Sequence, residues 1–117
     1  MKYEPLGEFD VIETNRILES GTMKEIILLP LSIGSNCSNW KTAQDICLKL
    51  ADHQDDRVSS NAILGLAYVA RNHKRLEKHL VKPALLNAKR KHKEYLWRIE
   101  DAIDDINLFL KWNVGSK

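Results

Sequence analysis

The chain has 117 residues, of which 44% are hydrophobic and 29% charged, with a formal net charge of +2. That composition excludes a disordered chain, and the length is enough for one hydrophobic core without metal or disulfide staples. So small a net charge gives no global attraction to nucleic acid or an anionic membrane, and any such role would need a local patch.

The first helix is predicted over Phe9 to Leu18, with Phe9, Ile12, Ile17 and Leu18 inward, closed by Ser20-Gly21. Thr22 and Glu25 have the capping-box spacing, in which each side chain satisfies the other's backbone N–H, so a second helix is expected from Met23. It is apolar almost all round through Ile26, Ile27, Leu28, Leu29, Leu31 and Ile33, which implies burial on several sides. Pro30 is expected to kink it.

Gly34 to Asn39 reads as a turn ending in an N-cap at Ser38 or Asn39. The third helix then turns Trp40, Ala43, Ile46, Cys47, Leu50 and Ala51 to one face. Asp52, Asp55 and Asp56 supply short acceptors where the fourth helix exposes its first N–H groups. Val58, Ala62, Gly65, Leu66, Val69 and Ala70 follow at helical spacing, and the small residues Ala62, Gly65, Ala67 and Ala70 shape a face for close approach of another helix. The fifth helix is read from Leu76 through Leu80, Ala84, Leu85 and Ala88, with a kink at Pro83, followed by a basic loop, Lys89 to Lys93. The sixth runs from Glu94 to Lys111 with Tyr95, Ile99, Ala102, Ile103, Ile106, Phe109 and Leu110 inward, before a polar, frayed tail from Asn113 to Lys117.

Six helices on short loops make an all-α chain of three consecutive hairpins, at about 8–34, 39–72 and 75–111, within a single domain of residues 1–117. The spacing of Val58, Ala62, Gly65, Leu66 and Val69 repeats in Tyr95, Ile99, Ala102, Ile103 and Ile106. Leu29-Pro30-Leu31 and Lys82-Pro83-Ala84 read as prolines at matching places in first helices of hairpins. An α-solenoid of stacked hairpins is therefore expected.

The stretch DHQDDRVSSNAILGLAYVA resembles the HEAT-repeat pattern. Trp40 with QDICLKLADH, and later EDAIDDINLFL, resemble a group of small bacterial HEAT-like proteins over most of the chain. The sequence departs from that pattern at Gln54 and Asp56, where proline is common, and at Ser59, where Arg after the Val is common. The resemblance implies a packing unit and a binding surface, and it supplies no catalytic residues.

Cys37 and Cys47 are the only cysteines. Without Cys-x-x-Cys or zinc-spaced histidines they read as reduced thiols, Cys47 in a helix core, and no metal or cofactor is expected. His53, His73, His79 and His92 sit at turns or helix ends with no triad partner placed by the sequence, although the loop between the fourth and fifth helices could bring His73 and His79 together. The N-terminus lacks the pattern of a secretory signal, and the run Ile26 to Leu31 is far shorter than the roughly 20 residues that span a bilayer. A cytoplasmic protein without membrane contact is expected.

Charge is segregated. Lys74 to Lys93 carries a local net of +7, and Glu94 to Ile106 a local net of −4. Glu100, Asp101, Asp104 and Asp105 fall on one solvent-facing strip opposite Ile99, Ile103 and Ile106. Three readings compete for the strip: a solvated face, an acidic patch for a basic protein, or a divalent metal site, which lacks converging ligands from a second helix. Trp97 falls off the inward stripe and is the residue type that anchors interfaces, whereas Trp112 has no assigned face. The basic segment, with Lys89, Arg90, Lys91 and Lys93 at its end, could grip phosphates, face the carboxylates across a hairpin, or only be solvated; it lacks interleaved aromatics. The expectation is a non-catalytic protein-binding module. More finely, it is an immunity protein, as in contact-dependent growth inhibition, that neutralises a nuclease-type toxin through Glu100, Asp101, Asp104, Asp105 and Trp97. The alternatives are a nucleic-acid-binding repeat using Lys74 to Lys93, or a scaffold subunit of an enzyme.

Overall fold

A computed structural model describes residues 10–115. They form α1 (Val11–Ser20), α2 (Met23–Asn36), α3 (Trp40–Ala51), α4 (Asp56–His73), α5 (Lys78–Lys91) and α6 (Leu96–Leu110), with no strand among the described residues. The expected helix start at Phe9, and Ser116-Lys117 of the tail, lie outside them.

Local side chains start four of these helices. Asp10 accepts from the Glu13 N–H at 3.1 Å, and Asn39 from that of Thr42 at 3.0 Å. Thr22 and Glu25 close the capping box, with the Thr22 N–H on Oε1 at 2.9 Å and the Glu25 N–H on Oγ1 at 3.2 Å. Asp55 caps α4 through the Arg57 N–H at 2.8 Å and also holds the Arg57 guanidinium at 2.8 Å. Hydrogen bonding from Arg57, first through its side chain and then its backbone, pushes the Asp55 carboxyl down to about 2. A depressed carboxylate stabilises the fold above its ordinary pKa of about 4 and loses that contribution as pH falls toward about 2. Asp55→Ala is thus expected to cost about 1 kcal/mol at neutral pH, and urea unfolding should show the gap from the parent closing as the solution is acidified through that window.

The start of α5 is capped from another helix. Glu77 makes no local side-chain cap; its N–H donates to Oε1 of the buried Gln44, at 2.6 Å, and Gln44 Nε2 returns a bond to Glu77 Oε1 at 2.8 Å. Lys41 reaches the same carboxylate at 2.8 Å and holds it below the usual range.

The contacts fix the directions of the helices. Asn61 and Asn72 of α4 donate to the carbonyls of Ile27 and Gly34 of α2, so the two helices run parallel. Asn61 meets Arg98, and Lys74 meets Phe109, so α6 is parallel to α4 as well. Ser59 meets Ala51, so α3 is antiparallel to α4. Hence α2, α4 and α6 form one layer and α3 and α5 the other, as stacked hairpins demand, in a body of 50 × 28 × 21 Å. The centre is α4, with Val58, Ala62, Ile63, Leu66, Val69 and Ala70 fully buried. It touches α2, α3, α5 and α6, whereas among the described residues α6 touches only α4 and α5, and α1 only α2.

Several expectations need correction. The turn placed at Gly34 to Asn39 begins late, because α2 continues to Asn36. Gly34 is there for close packing: a Cβ on it would stand 2.5 Å from the Gly65 carbonyl oxygen, and one on Gly65 would stand 2.6 Å from that of Pro30. The prolines are not equivalent, since buried Pro30 lies in the α2/α4/α6 layer and exposed Pro83 in the α3/α5 layer; both helices continue through them. In α1 Ile12 is 82% exposed and Thr14 is the buried residue. In α5 the inward stripe is Val81, Leu85 and Ala88, with Leu80 exposed, and the helix starts at Lys78, after the expected Leu76. The basic loop is mostly helix, because Lys89, Arg90 and Lys91 form the last turn of α5, and α6 starts at Leu96, after Glu94 and Tyr95. The tail is tied down rather than frayed at Val114: it is buried, its N–H and carbonyl both bonded at 3.0 Å by the side-chain amide of Asn107.

Candidate partner-binding site

Ile99, Ala102, Ile103 and Ile106 turn inward from α6. The period of the helix then places Trp97, Asp101, Asp104 and Leu108 in line on the opposite face, with Glu100 and Asp105 beside them. All six are exposed. Trp97 is 63% exposed and Leu108 71%, and eleven residues of helix put them about 16 Å apart, at either end of the carboxylates. Leu108 is an omission of the sequence reading; its spacing of four from Asp104 and its place off the isoleucine stripe were the signal for it.

The strip keeps its charge. Among the described residues no ion pair includes Glu100, Asp101, Asp104 or Asp105, so of the alternatives for the basic segment, pairing with these carboxylates across the α5–α6 hairpin is not found there. Arg98, the cation nearest in sequence, lies with Cζ 5.6 Å from the centroid of the Trp97 ring and is held by Asn61: Nη1 donates to Asn61 Oδ1 at 3.1 Å, and Asn61 Nδ2 donates to the Ile27 carbonyl at 2.8 Å in the turn before Pro30. One guanidinium thereby ties α6 to α4 and α2, and among the described residues it forms no ion pair with the carboxylates. No group of three or more His, Cys, Asp or Glu suited to a metal ion occurs among the described residues.

The +7 segment does not form one patch. Lys74, Arg75 and Lys78 lie at the end where α2, α4 and α6 finish, while Lys89, Arg90, Lys91 and Lys93 lie at the opposite end of α5, about 20 Å away for a helix of 14 residues. Lys89 is half-buried, and Arg90, Lys91 and Lys93 are exposed.

The histidines separate in the same way. His73 Nε2 lies 3.1 Å from the Cys37 carbonyl, and His79 is exposed, with no hydrogen bond between the two. His53 Nδ1 accepts from the Asp55 N–H at 3.0 Å. His92, 2% exposed, stands between Ser59 Oγ, 2.8 Å from Nε2, and Asp56 Oδ1, 3.0 Å from Nδ1. The order Asp, His, Ser matches that of a hydrolase triad, which the sequence reading missed. Its chemistry does not. Ser59 is fully buried, and its hydroxyl donates its one proton to the Ala51 carbonyl at 2.6 Å, so the oxygen accepts from Nε2–H and has no proton to give the ring. The Nδ1 contact is at charge-pair distance without hydrogen-bond alignment. This group clamps the α3–α4 corner to the α5–α6 corner. His92→Ala is expected to lose about 2–3 kcal/mol through the cavity left by a buried ring and the lost hydrogen bond to Ser59, read as a lower urea midpoint.

Both cysteines are buried and free. Burial pushes the Cys47 thiol up to about 12, which leaves it unreactive near neutrality. A cleft of about 220 Å³ lies between α3 and α5, lined by Leu48, Ala51, Asp52, Leu80, Ala84 and Asn87, and contains no nucleophile with an adjacent base. No helix among the described residues is long and apolar enough to cross a membrane.

No described protein family and no curated protein matches this sequence. Among solved structures, a chain of the crystal structure of a CDI complex from Cupriavidus taiwanensis LMG 19424 shares the fold. The similarity has a TM-score of 0.75 at 23% identity and covers 93% of this chain and 97% of that one. At that identity the likeness is one of fold.

Proposed function

We propose that this chain is a non-catalytic protein-binding module of the bacterial cytoplasm, an immunity protein that binds and neutralises a nuclease-type toxin through the outer face of α6. The observation that carries the reading is the strip of four exposed carboxylates without ion-pair partners among the described residues, bracketed by Trp97 and Leu108. A solvated face that only keeps further hairpins from stacking has no need of an indole and a leucine in water, whereas interface centres are enriched in such anchors. A nuclease cleft is basic because it holds phosphates, and a rigid row of carboxylates competes for it with fast, steered association. The fold shared with a chain of a CDI complex, which we read as contact-dependent growth inhibition, supports the reading, and so does the HEAT-like pattern of the sequence.

The reading expects the neighbouring upstream gene to encode a large secreted protein with a toxic C-terminal domain, and the test is co-expression with that domain. The parent chain should rescue growth, and the Asp101→Lys, Asp104→Lys, Asp105→Lys variant should not. Growth arrest by this chain alone would make it the toxic partner and end the proposal.

A further inference from the structure

The end of the molecule where α2, α4 and α6 finish carries cations set on aromatic rings. Arg71 stands over Tyr68 with Cζ 5.0 Å from the ring centroid, and Arg75 stands over Trp40 at the same 5.0 Å. Between and beyond them Lys74 Nζ lies 5.2 Å from the Phe109 ring and Lys78 Nζ 5.6 Å from that of Trp112. The four cations are exposed and the four rings half-buried. The sequence shows no aromatic within Lys74 to Lys78; the rings come from α3, α4, α6 and, for Trp112, the segment just after α6, which the fold brings to the same corner.

We propose that this corner is a binding site for single-stranded nucleic acid, independent of the α6 strip. Positions 71, 74, 75 and 78 alternate guanidinium and ammonium groups at helical spacing, although the chain leaves α4 and enters α5 within them. A guanidinium set over a ring offers its other side to a nucleobase, which has a π-face of its own, and the ammonium groups beside it meet the phosphates between bases. Pairing with an aromatic ring leaves the charge of each cation uncompensated. Among the described residues none of the four is in an ion pair, and Glu77, the acid within this segment, is held by Lys41 and Gln44. An acidic peptide would use the charges but not the stacked rings, and a duplex hides its base faces, so the single strand is the ligand that uses the whole corner.

The test uses the full chain and a fluorescein-labelled oligouridylate of about twelve nucleotides, followed by anisotropy. Micromolar binding at low salt is expected, weakening about 100-fold for a tenfold rise in salt if three phosphates are contacted. Arg71→Ala with Arg75→Ala should weaken it at least tenfold while the far-ultraviolet circular dichroism stays unchanged. Should that variant lose structure, the Trp97→Phe background keeps Trp40 and Trp112 as the only tryptophans, and the oligonucleotide should quench their fluorescence. No binding at low salt would overturn the site. So would equal affinity for a duplex of the same length, or binding abolished by substituting Lys89, Arg90, Lys91 and Lys93 and untouched at Arg71 and Arg75.

Discussion

Gly65→Val is expected to lose about 3 kcal/mol or more, enough to leave a small helical protein partly unfolded at ambient temperature. On propensity alone, replacing a mid-helix glycine with alanine gains about 1 kcal/mol, so a destabilising result has a steric cause. Any Cβ at this position stands 2.6 Å from the Pro30 carbonyl oxygen and 2.8 Å from Cys47 Sγ. The sulfur ends a side chain and has some room to swing, but the carbonyl belongs to α2, so the helices themselves must part. The same holds at Gly34, where the obstacle is the backbone of Gly65. Gly65→Ala should accordingly fall between the parent and the valine variant, and Ser35→Ala, at an exposed position of α2, should stay within about 0.5 kcal/mol of the parent. Urea unfolding followed by circular dichroism measures all three. A Gly65→Val protein as stable as its parent would show that α2 and α4 do not need this approach.

The second large effect is kinetic. Reversing Asp101, Asp104 and Asp105 to lysine should slow association with a basic toxin partner by a factor of about 10 to 1,000 at low salt and make the remaining rate nearly insensitive to ionic strength. Helicity should be unchanged, since the three side chains face water and make no ion pair among the described residues. Trp97→Ala should act on the other rate constant: losing a desolvated aromatic anchor costs about 2 kcal/mol, or about 30-fold in affinity, and appears as faster dissociation. Unchanged association of the triple variant would reduce the strip to a solvated face, and unchanged dissociation of Trp97→Ala would remove the indole from the interface.

The helix starts were legible wherever the partners are neighbours in sequence. Asp10 with Glu13, Thr22 with Glu25 and Asp55 with Arg57 lie within one turn, and the strip on α6 follows from the same periodicity. The errors came where a residue type has two uses. Gly34 has the residue type of a turn, yet its missing side chain admits another backbone. Leu80 has the spacing of an inward residue, yet it stays 41% exposed at the cleft between α3 and α5, and Val81 is the buried position. Gln44 gave no local signal, because the N–H it caps lies 33 residues away. The His92 clamp was hidden for the same reason: its partners are fixed by the meeting of two corners.

By itself the sequence determined the number of helices, most of their starts and the placing of four carboxylates on one face of the last helix, because those features depend on hydrogen bonds and rotations within one or two turns. Only the tertiary structure decided that among the described residues the face is the outer side of the last helix in the stack, that Arg98 is bound to Asn61 and not to the carboxylates, and that a basic run is divided between two ends, one of them furnished with aromatic rings. Each of these depends on which helices become neighbours, and that is settled by close approaches such as Gly34 on Gly65, whose energies belong to pairs of segments and are not written in either one alone.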